Sequence, residues 1–232
     1  MEKELIYTFR RKEQKYLIND AQMALLEDAI SDEAELNEFG ESRVVSVYYD
    51  NDDFELINRS LERPNYKEKL RVRAYDPDGS DGMEVFAEIK KKYDGVVYKR
   101  RVRGSYADVK KMLSGEDSQI EKELQWMMRR YGLKPKVWIS CMRLPYQARD
   151  GSDLRITFDS DLRYQTDEPD LCYKGPGEEI IPADRHIMEI KSSGGIPAWL
   201  CSILSENKIY PQGFSKVGTA FENKIFQAVI QE

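Results

Sequence analysis

Apolar and polar positions alternate strictly over residues 66–75, where Leu70, Val72 and Ala74 take one side and Lys69, Arg71, Arg73 and Tyr75 the other. Side chains of a strand point to opposite faces at every second residue, so this segment predicts a strand with one apolar and one cationic face. The same period returns across short turns. Residues 76–82 have the Pro, Asp and Gly composition of a reversal, and residues 83–92 then set Val85, Ala87 and Ile89 against Phe86, Glu88, Lys90 and Lys92. Asp94 and Gly95 mark a second turn, after which residues 96–103 align Lys99, Arg101 and Arg103. An antiparallel meander of cation-faced strands is expected.

The rest of the chain alternates between this period and a helical one. Residues 8–18 set Arg11, Glu13 and Lys15 against Lys12, Gln14 and Tyr16 and predict the first strand. Asn19 and Asp20 then cap a helix to about Ser31, with Met23, Leu26 and Ile30 on one side. Residues 43–50 are β-branched and aromatic and predict a strand, followed by a short helix around 54–60. Residues 105–132 carry helical stripes (Tyr106, Val109, Met112, Leu113; then Ile120, Leu124, Met127, Met128), with Gly115 between them and Gly132 as a stop signal. Strand character resumes over 136–143, 153–159 and 186–191. There Arg155, Thr157 and Asp159 oppose Leu154, Ile156 and Phe158, and Glu189 and Lys191 oppose Met188 and Ile190. Proline and glycine keep 164–184 irregular, and helices are expected over about 197–206 and 219–231.

The helical stripes need an apolar surface, and the strands supply one. Their polar faces then look outward in an open sheet or inward in a closed one. Closure would make the cations converge, and like charges crowded away from bulk water repel strongly, a cost that a bound polyanion removes. Phosphate chains suit such a lumen, because guanidinium forks meet phosphate oxygens bidentately and lysines act as point charges. The interspersed carboxylates, Glu13, Glu88, Asp159 and Glu189, would repel the same ligand unless a divalent cation such as Mg²⁺ or Mn²⁺ stood between. For Glu13, Glu88 and Asp159, an ion pair with a neighbouring Arg or Lys is an equal alternative.

Composition narrows the function classes. A chain of 232 residues reads as one domain, 1–232, with room for a substantial core. A net charge of -6 and a pI near 5.2 argue against nucleic acid as a partner, so any polyanion must be met by a local concentration of cations. The single histidine, His186, leaves no material for a histidine triad or a multi-histidine metal site. Neither a Gly-x-x-x-x-Gly-Lys loop nor a Gly-x-Gly-x-x-Gly stretch is present. Cys141, Cys172 and Cys201 have neither disulfide-framework nor zinc spacing. With no signal peptide and no apolar run of membrane-spanning length, a cytoplasmic protein without a membrane segment of its own is expected.

Taken in order, these motifs resemble the VTC (vacuolar transporter chaperone) domain of the triphosphate tunnel metalloenzyme, or CYTH-like, superfamily. The residues that carry the likeness are Arg11-x-Glu13-x-Lys15-Tyr16, Tyr48-Tyr49-Asp50-Asn51, Lys69-Leu-Arg71-Val-Arg73, Glu88-Ile-Lys90, Lys99-Arg-Arg101, Arg143, Arg155-x-x-x-Asp159, Met188-Glu189-Ile-Lys191 and Phe214-Ser215-Lys216. The resemblance implies an α+β protein, a closed antiparallel eight-stranded β-barrel with helices packed outside, that binds ATP, triphosphate or polyphosphate with Mn²⁺ or Mg²⁺. Family members include polyphosphate polymerases, which move the terminal phosphoryl group of ATP onto a growing chain. By position, Lys15, Lys69, Arg71, Arg73, Lys90, Lys99, Arg101, Arg143, Arg155, Lys191, Ser215 and Lys216 would grip phosphates. Arg71, Arg73, Lys90, Arg143, Arg155 and Lys216 would lie nearest the chemistry. Glu189 would hold the metal, with Glu13, Glu88 and Asp159 as further candidates. Two positions depart from the pattern. Arg11 stands where the wider superfamily has the first acid of a Glu-x-Glu-x-Lys motif, which favours the VTC branch over a two-metal hydrolase. Gly213 stands where polymerase members carry a further lysine, a departure that bears on full polymerase activity; the rival readings are a triphosphatase, which would need a positioned water, and a non-catalytic polyphosphate sensor, favoured if the carboxylate metal site were incomplete.

Overall fold

One residue, Asn19, joins the first strand to the first helix. Its side chain accepts from the Gln22 amide at 2.9 Å, while the Gln22 side chain accepts from the Asn19 amide at 3.1 Å, a reciprocal cap that satisfies two otherwise unpaired donors. The computed structural model describes residues 12–62, 64–94, 96–114 and 119–231. Arg11 and the first part of the strand expected from residue 8 lie outside them. The elements are β1 (Lys12–Asn19), α1 (Asp20–Ile30), β2 (Ala34–Leu36), β3 (Ser42–Asp50), α2 (Glu55–Leu61), β4 (Tyr66–Tyr75), β5 (Glu84–Tyr93), β6 (Val96–Ser105), α3 (Tyr106–Ser114), α4 (Gln119–Tyr131), β7 (Lys134–Ala148), β8 (Arg155–Gln165), β9 (Glu178–Glu179), β10 (Arg185–Ser192), α5 (Ala198–Glu206) and α6 (Lys216–Gln231).

The strands form one antiparallel sheet in the order β1-β10-β8-β7-β3-β4-β5-β6, with β2 added to β7 and β9 to β8. The eight strands of the main path match expectation, but the closed barrel does not form. β1 and β6 are the two margins, and among the described residues no pairing joins them. The sheet curls into a half-barrel tightly enough for Lys90 of β5 to reach Glu13 of β1 at 3.4 Å.

Two apolar clusters cover the convex face. In one, Val109 of α3 and Leu124 and Met127 of α4 pack on Val45, Val47, Leu70, Val72, Val85, Ala87 and Ile89. In the other, Leu26 and Ile30 of α1 and Leu200 and Leu204 of α5 pack on Tyr16, Ile18, Ile156, Phe158, Met188 and Ile190. Each such side chain contributes about 1.5–3 kcal/mol when fully buried.

A third apolar cluster lies inside the hollow. Val44, Tyr48, Val137, Ile139, Leu162 and Ile187 share strand faces with the charged residues, so part of the concave surface is apolar. Val217, Ala220 and Phe221 of α6 cover it. This helix was expected outside the sheet and instead fills part of the hollow. Gly218 admits it, because a Cβ there would come within 2.7 Å of Leu61 on α2.

β8 contributes to both halves of the concave surface through a bulge. Asp161, at φ +46°, adds a residue opposite Cys141. Thr157 and Asp159 before the bulge and Leu162 and Tyr164 after it therefore face the same way.

Candidate functional site

Register sets the cations of the meander in rows. Lys69 of β4, Lys90 of β5 and Lys99 of β6 stand directly opposite one another, as do Arg71, Glu88 and Arg101, and Arg73, Phe86 and Arg103. Alternation puts these rows on the concave face. Like charges opposite each other are unfavourable in a sheet, and the lysines show it. Burial and neighbouring cations lower all three ammonium groups, Lys69 and Lys99 to about 8, against the partial support of Glu88 for Lys99 and Glu13 for Lys90.

Glu88 holds the middle row. Its carboxylate accepts from Arg71 Nε at 2.6 Å and meets Lys99 at 2.5 Å. Burial alone would raise this carboxyl, but Arg71, Lys99 and Arg73 hold it well below the usual carboxylate range. Arg101 lies over the Phe86 ring at 5.0 Å. β3 adds two hydroxyls: Arg73 Nε donates to Ser46 Oγ at 3.0 Å, and Arg71 Nη1 donates to the Tyr48 hydroxyl at 3.1 Å. Burial would raise the Tyr48 phenol, yet Arg71, Arg73 and Lys69 bring it down to about 7.

The opposite half of the hollow comes from β1, β7, β8, β10 and the start of α6. Arg143 donates to both oxygens of Asp159 at 2.7 and 2.8 Å, and Lys216 reaches one of them at 2.5 Å. Asp159 is fully buried, and despite burial Arg143 and Lys216 keep it far below its ordinary range. Glu189 bonds Lys191 and lies 4.0 Å from Lys15. Lys15 also stands 3.5 Å from Glu13 and donates to the Phe214 carbonyl at 3.3 Å. Lys69 donates to Ser215 Oγ at 3.0 Å, so the Phe214-Ser215-Lys216 segment touches both halves.

The hollow thus brings together Lys15, Lys69, Arg71, Arg73, Lys90, Lys99, Arg101, Arg143, Lys191, Ser215 and Lys216. Arg155 shares the face by alternation, opposite Lys191, but stands exposed at its end. Sequence reasoning did not single out Ser46, Tyr48 or Phe86 as site residues. The alternation Val44, Ser46, Tyr48, Asp50 could have placed the first two. His186, excluded from the chemistry, lies on the convex face against Asp20 at 2.7 Å and Ser160 at 2.9 Å.

All four candidate metal ligands meet two cations each: Glu88 has Arg71 and Lys99, Asp159 has Arg143 and Lys216, Glu13 has Lys15 and Lys90, and Glu189 has Lys191 and Lys15, so the ion-pair alternative holds for Glu13, Glu88 and Asp159 in the ligand-free protein. Glu13 and Glu189 interact with each other, the charge of Glu189 working against ionisation of Glu13 while Lys90, Lys191 and Lys15 favour it. Among the described residues no group of three or more His, Cys, Asp and Glu could hold a metal ion. The Glu13–Glu189 pair is an oxygen donor set of the kind that suits a hard divalent cation sharing phosphate oxygens.

A curled antiparallel sheet with helices on its convex side and a hollow that gathers arginines and lysines from most of its strands defines an α+β half-barrel domain with a cation-lined hollow. The VTC domain family matches residues 10–223, and the chain belongs to that family, as its ordered motifs predicted. Among curated proteins it is similar to vacuolar transporter chaperone complex subunit 4 of Trypanosoma brucei brucei, with 29% identity over 187 residues, 65% of this chain and 24% of that protein. The subunit 4 of Trypanosoma cruzi is 28% identical over 205 residues, 71% of this chain and 26% of that protein. The chain therefore spans about a quarter of the length of these relatives. Its fold is shared with a crystal structure from Bacillus halodurans described as a candidate adenylate cyclase: TM-score 0.55, 15% identity, 88% of this chain and 95% of that one. No described helix is long and apolar enough to cross a membrane.

Proposed function

We propose that the hollow binds the phosphates of a nucleoside triphosphate and of polyphosphate, and that the protein transfers the terminal phosphoryl group onto the polyphosphate chain. The observation that carries this reading is the row Lys69, Lys90, Lys99. Three lysines stand opposite one another in the sheet, and Lys69 meets a hydroxyl rather than a carboxylate. Such a row is costly empty and favourable around a phosphate chain.

Phosphoryl transfer asks the protein mainly to position reactants and to stabilise charge on the oxygens in flight. Arg71 and Arg73 from one side and Arg143 from the other would fork onto the transferring group, with Lys90 and Lys216 as point charges beside it. An oxygen of the acceptor's terminal phosphate forms the new bond to phosphorus, and the bond to the bridging oxygen breaks, leaving a nucleoside diphosphate. An ionised phosphate needs no general base, so the lack of a histidine here is no obstacle. Glu189, with Glu13, would hold Mn²⁺ or Mg²⁺ jointly with phosphate oxygens. The ion would supply charge neutralisation on the transferred group. The reading takes residues 1–232 as one domain working in the cytoplasm and, since the relatives are named as complex subunits, extends to it the expectation of protein partners.

The test is incubation of purified protein with ATP and Mn²⁺, with and without a short polyphosphate primer, following chain length and free phosphate together. Chain growth with little free phosphate is expected. Free phosphate without growth would make it a triphosphatase, and neither product with intact binding would leave a polyphosphate sensor. Glu189→Gln should abolish turnover while most anion affinity remains.

A further inference from the structure

Buried polar side-chain atoms nearly always find a hydrogen-bond partner, so each exception calls for an explanation. Among the described residues four such atoms lack one: Gln125 Oε1, Trp138 Nε1, Gln165 Nε2 and Thr157 Oγ1. Alternation and the β8 bulge put Trp138 and Gln165 on the convex side, and Gln125 belongs to α4, which covers that side. Thr157 alone stands on the charged face.

Its surroundings are specific. Thr157 lies directly opposite Glu189 of β10, which in turn lies opposite Lys15 of β1. Two residues along the same face is Asp159, clamped by Arg143 and Lys216. Both neighbouring carboxylates are thus occupied by cations, Glu189 by Lys191, and neither accepts from the threonine. The hydroxyl has no acceptor, and by register Lys191 and Arg143 are its diagonal neighbours, with Lys15 one strand further on. A group that brought acceptor oxygens and negative charge here would give the hydroxyl its missing acceptor and add to the counter-charge of cations already paired with Asp159 and Glu189.

The Thr157 hydroxyl is shielded from solvent in the ligand-free protein, and we propose that it becomes a ligand-binding group of the hollow when the side chains covering it turn toward a bound phosphate, donating its proton to a phosphate oxygen beside Glu189. The inference rests on the reading of the hollow as a phosphate-chain site and adds a contact on the side opposite the lysine row. An inorganic phosphate chain is the class of ligand that fits, since its non-bridging oxygens offer acceptors along the whole path from Lys69 to Thr157. A methyl group in place of the hydroxyl has a distinctive consequence: it removes an unsatisfied buried polar atom from the empty protein and a charge-assisted hydrogen bond from the complex. Stability and affinity should therefore move in opposite directions, which a purely structural threonine would not do.

The experiment compares wild type, Thr157→Val, Thr157→Ser and Arg71→Ala, using tripolyphosphate as the probe in calorimetric titrations and thermal unfolding of the ligand-free protein. Thr157→Val should bind about tenfold more weakly, the scale of one hydrogen bond to a charged group, with an unfolding temperature equal to or above that of wild type. Thr157→Ser should restore affinity. Wild-type affinity in Thr157→Val, alongside a loss in Arg71→Ala, would overturn the threonine assignment and leave the phosphate reading standing. A lowered unfolding temperature in Thr157→Val would also overturn it, because the hydroxyl would then have a structural partner. Failure of wild type itself to bind tripolyphosphate would overturn the reading of the hollow, and the proposal with it.

Discussion

Arg71 and Glu88 face each other across β4 and β5, and the guanidinium closes on the carboxylate at 2.6 Å while donating to Tyr48 at 3.1 Å. Burial opposes both charges, yet each partner strengthens the other, so that Arg71 is held above and Glu88 below its ordinary range. The pair fixes the guanidinium of Arg71 within the hollow.

Replacing Glu88 by Gln should therefore separate stability from affinity. Arg71 and Lys99 lose their counter-charge, and the ligand-free protein should lose about 2 kcal/mol, less than for a fully buried pair because Lys99 reaches solvent. Tripolyphosphate should bind more tightly, since the hollow gains a net positive charge. Denaturant titration and calorimetry on the same variant measure the two effects.

Asp159 should be far more costly to neutralise. Asp159→Asn leaves Arg143 and Lys216 buried without their shared carboxylate, and a loss of about 3–5 kcal/mol is expected in urea unfolding. The sign with pH follows from its depressed folded-state pKa. Its stabilisation is fully present above the ordinary carboxylate range, near pH 4, and is lost as pH falls through the folded-state value. The wild type should lose stability on acidification over that range, and the variant should lose less.

Anion affinity should fall as pH rises from about 6.5 to 9. Tyr48 ionises near 7 and adds a negative charge beside Arg71, and Lys69 and Lys99 give up positive charges near 8. Tyr48→Phe should flatten the lower part of this profile and move the Lys69 contribution to lower pH, because the Tyr48 charge supports the Lys69 ammonium, while the Lys99 contribution stays. Tripolyphosphate titrations at half-unit pH intervals would show it, and an unaltered profile in the variant would count against the phenol.

Gly218→Ala should loosen the seating of α6. The new methyl would sit 2.7 Å from Leu61 and 3.2 Å from Ser215, and a crowding cost of about 1–3 kcal/mol is expected. Because Ser215 accepts from Lys69, tripolyphosphate affinity should fall as well. Thermal unfolding and titration together test the coupling.

Much of this architecture was legible in the alternation of side chains. Leu70, Val72 and Ala74 against Lys69, Arg71 and Arg73 gave both the span of β4 and its two faces, because a period of two admits no other regular structure. The same rule brought Arg143, Asp159, Glu189 and Lys15 to one surface. It could not reveal the bulge at Asp161, where a single residue in the left-handed region reverses the parity of β8 without altering its composition. Nor could it tell which surface α6 covers. Val217, Ala220 and Phe221 mark an apolar stripe, but a stripe does not say whether it packs on the convex or the concave side. Tyr48 enters only as part of a motif and without a role, because an aromatic residue in a β-branched strand does not by itself show that its hydroxyl meets an arginine.

Lys216 is both the first residue of α6 and a member of the charge array through Asp159. The C-terminal helix is therefore mechanically geared to the hollow: a pull, a tether or a bound protein that shifts its first turn draws a cation away from Asp159 and tilts the electrostatic balance around Arg143. Whatever moves the first turn of that helix moves a charge of the hollow.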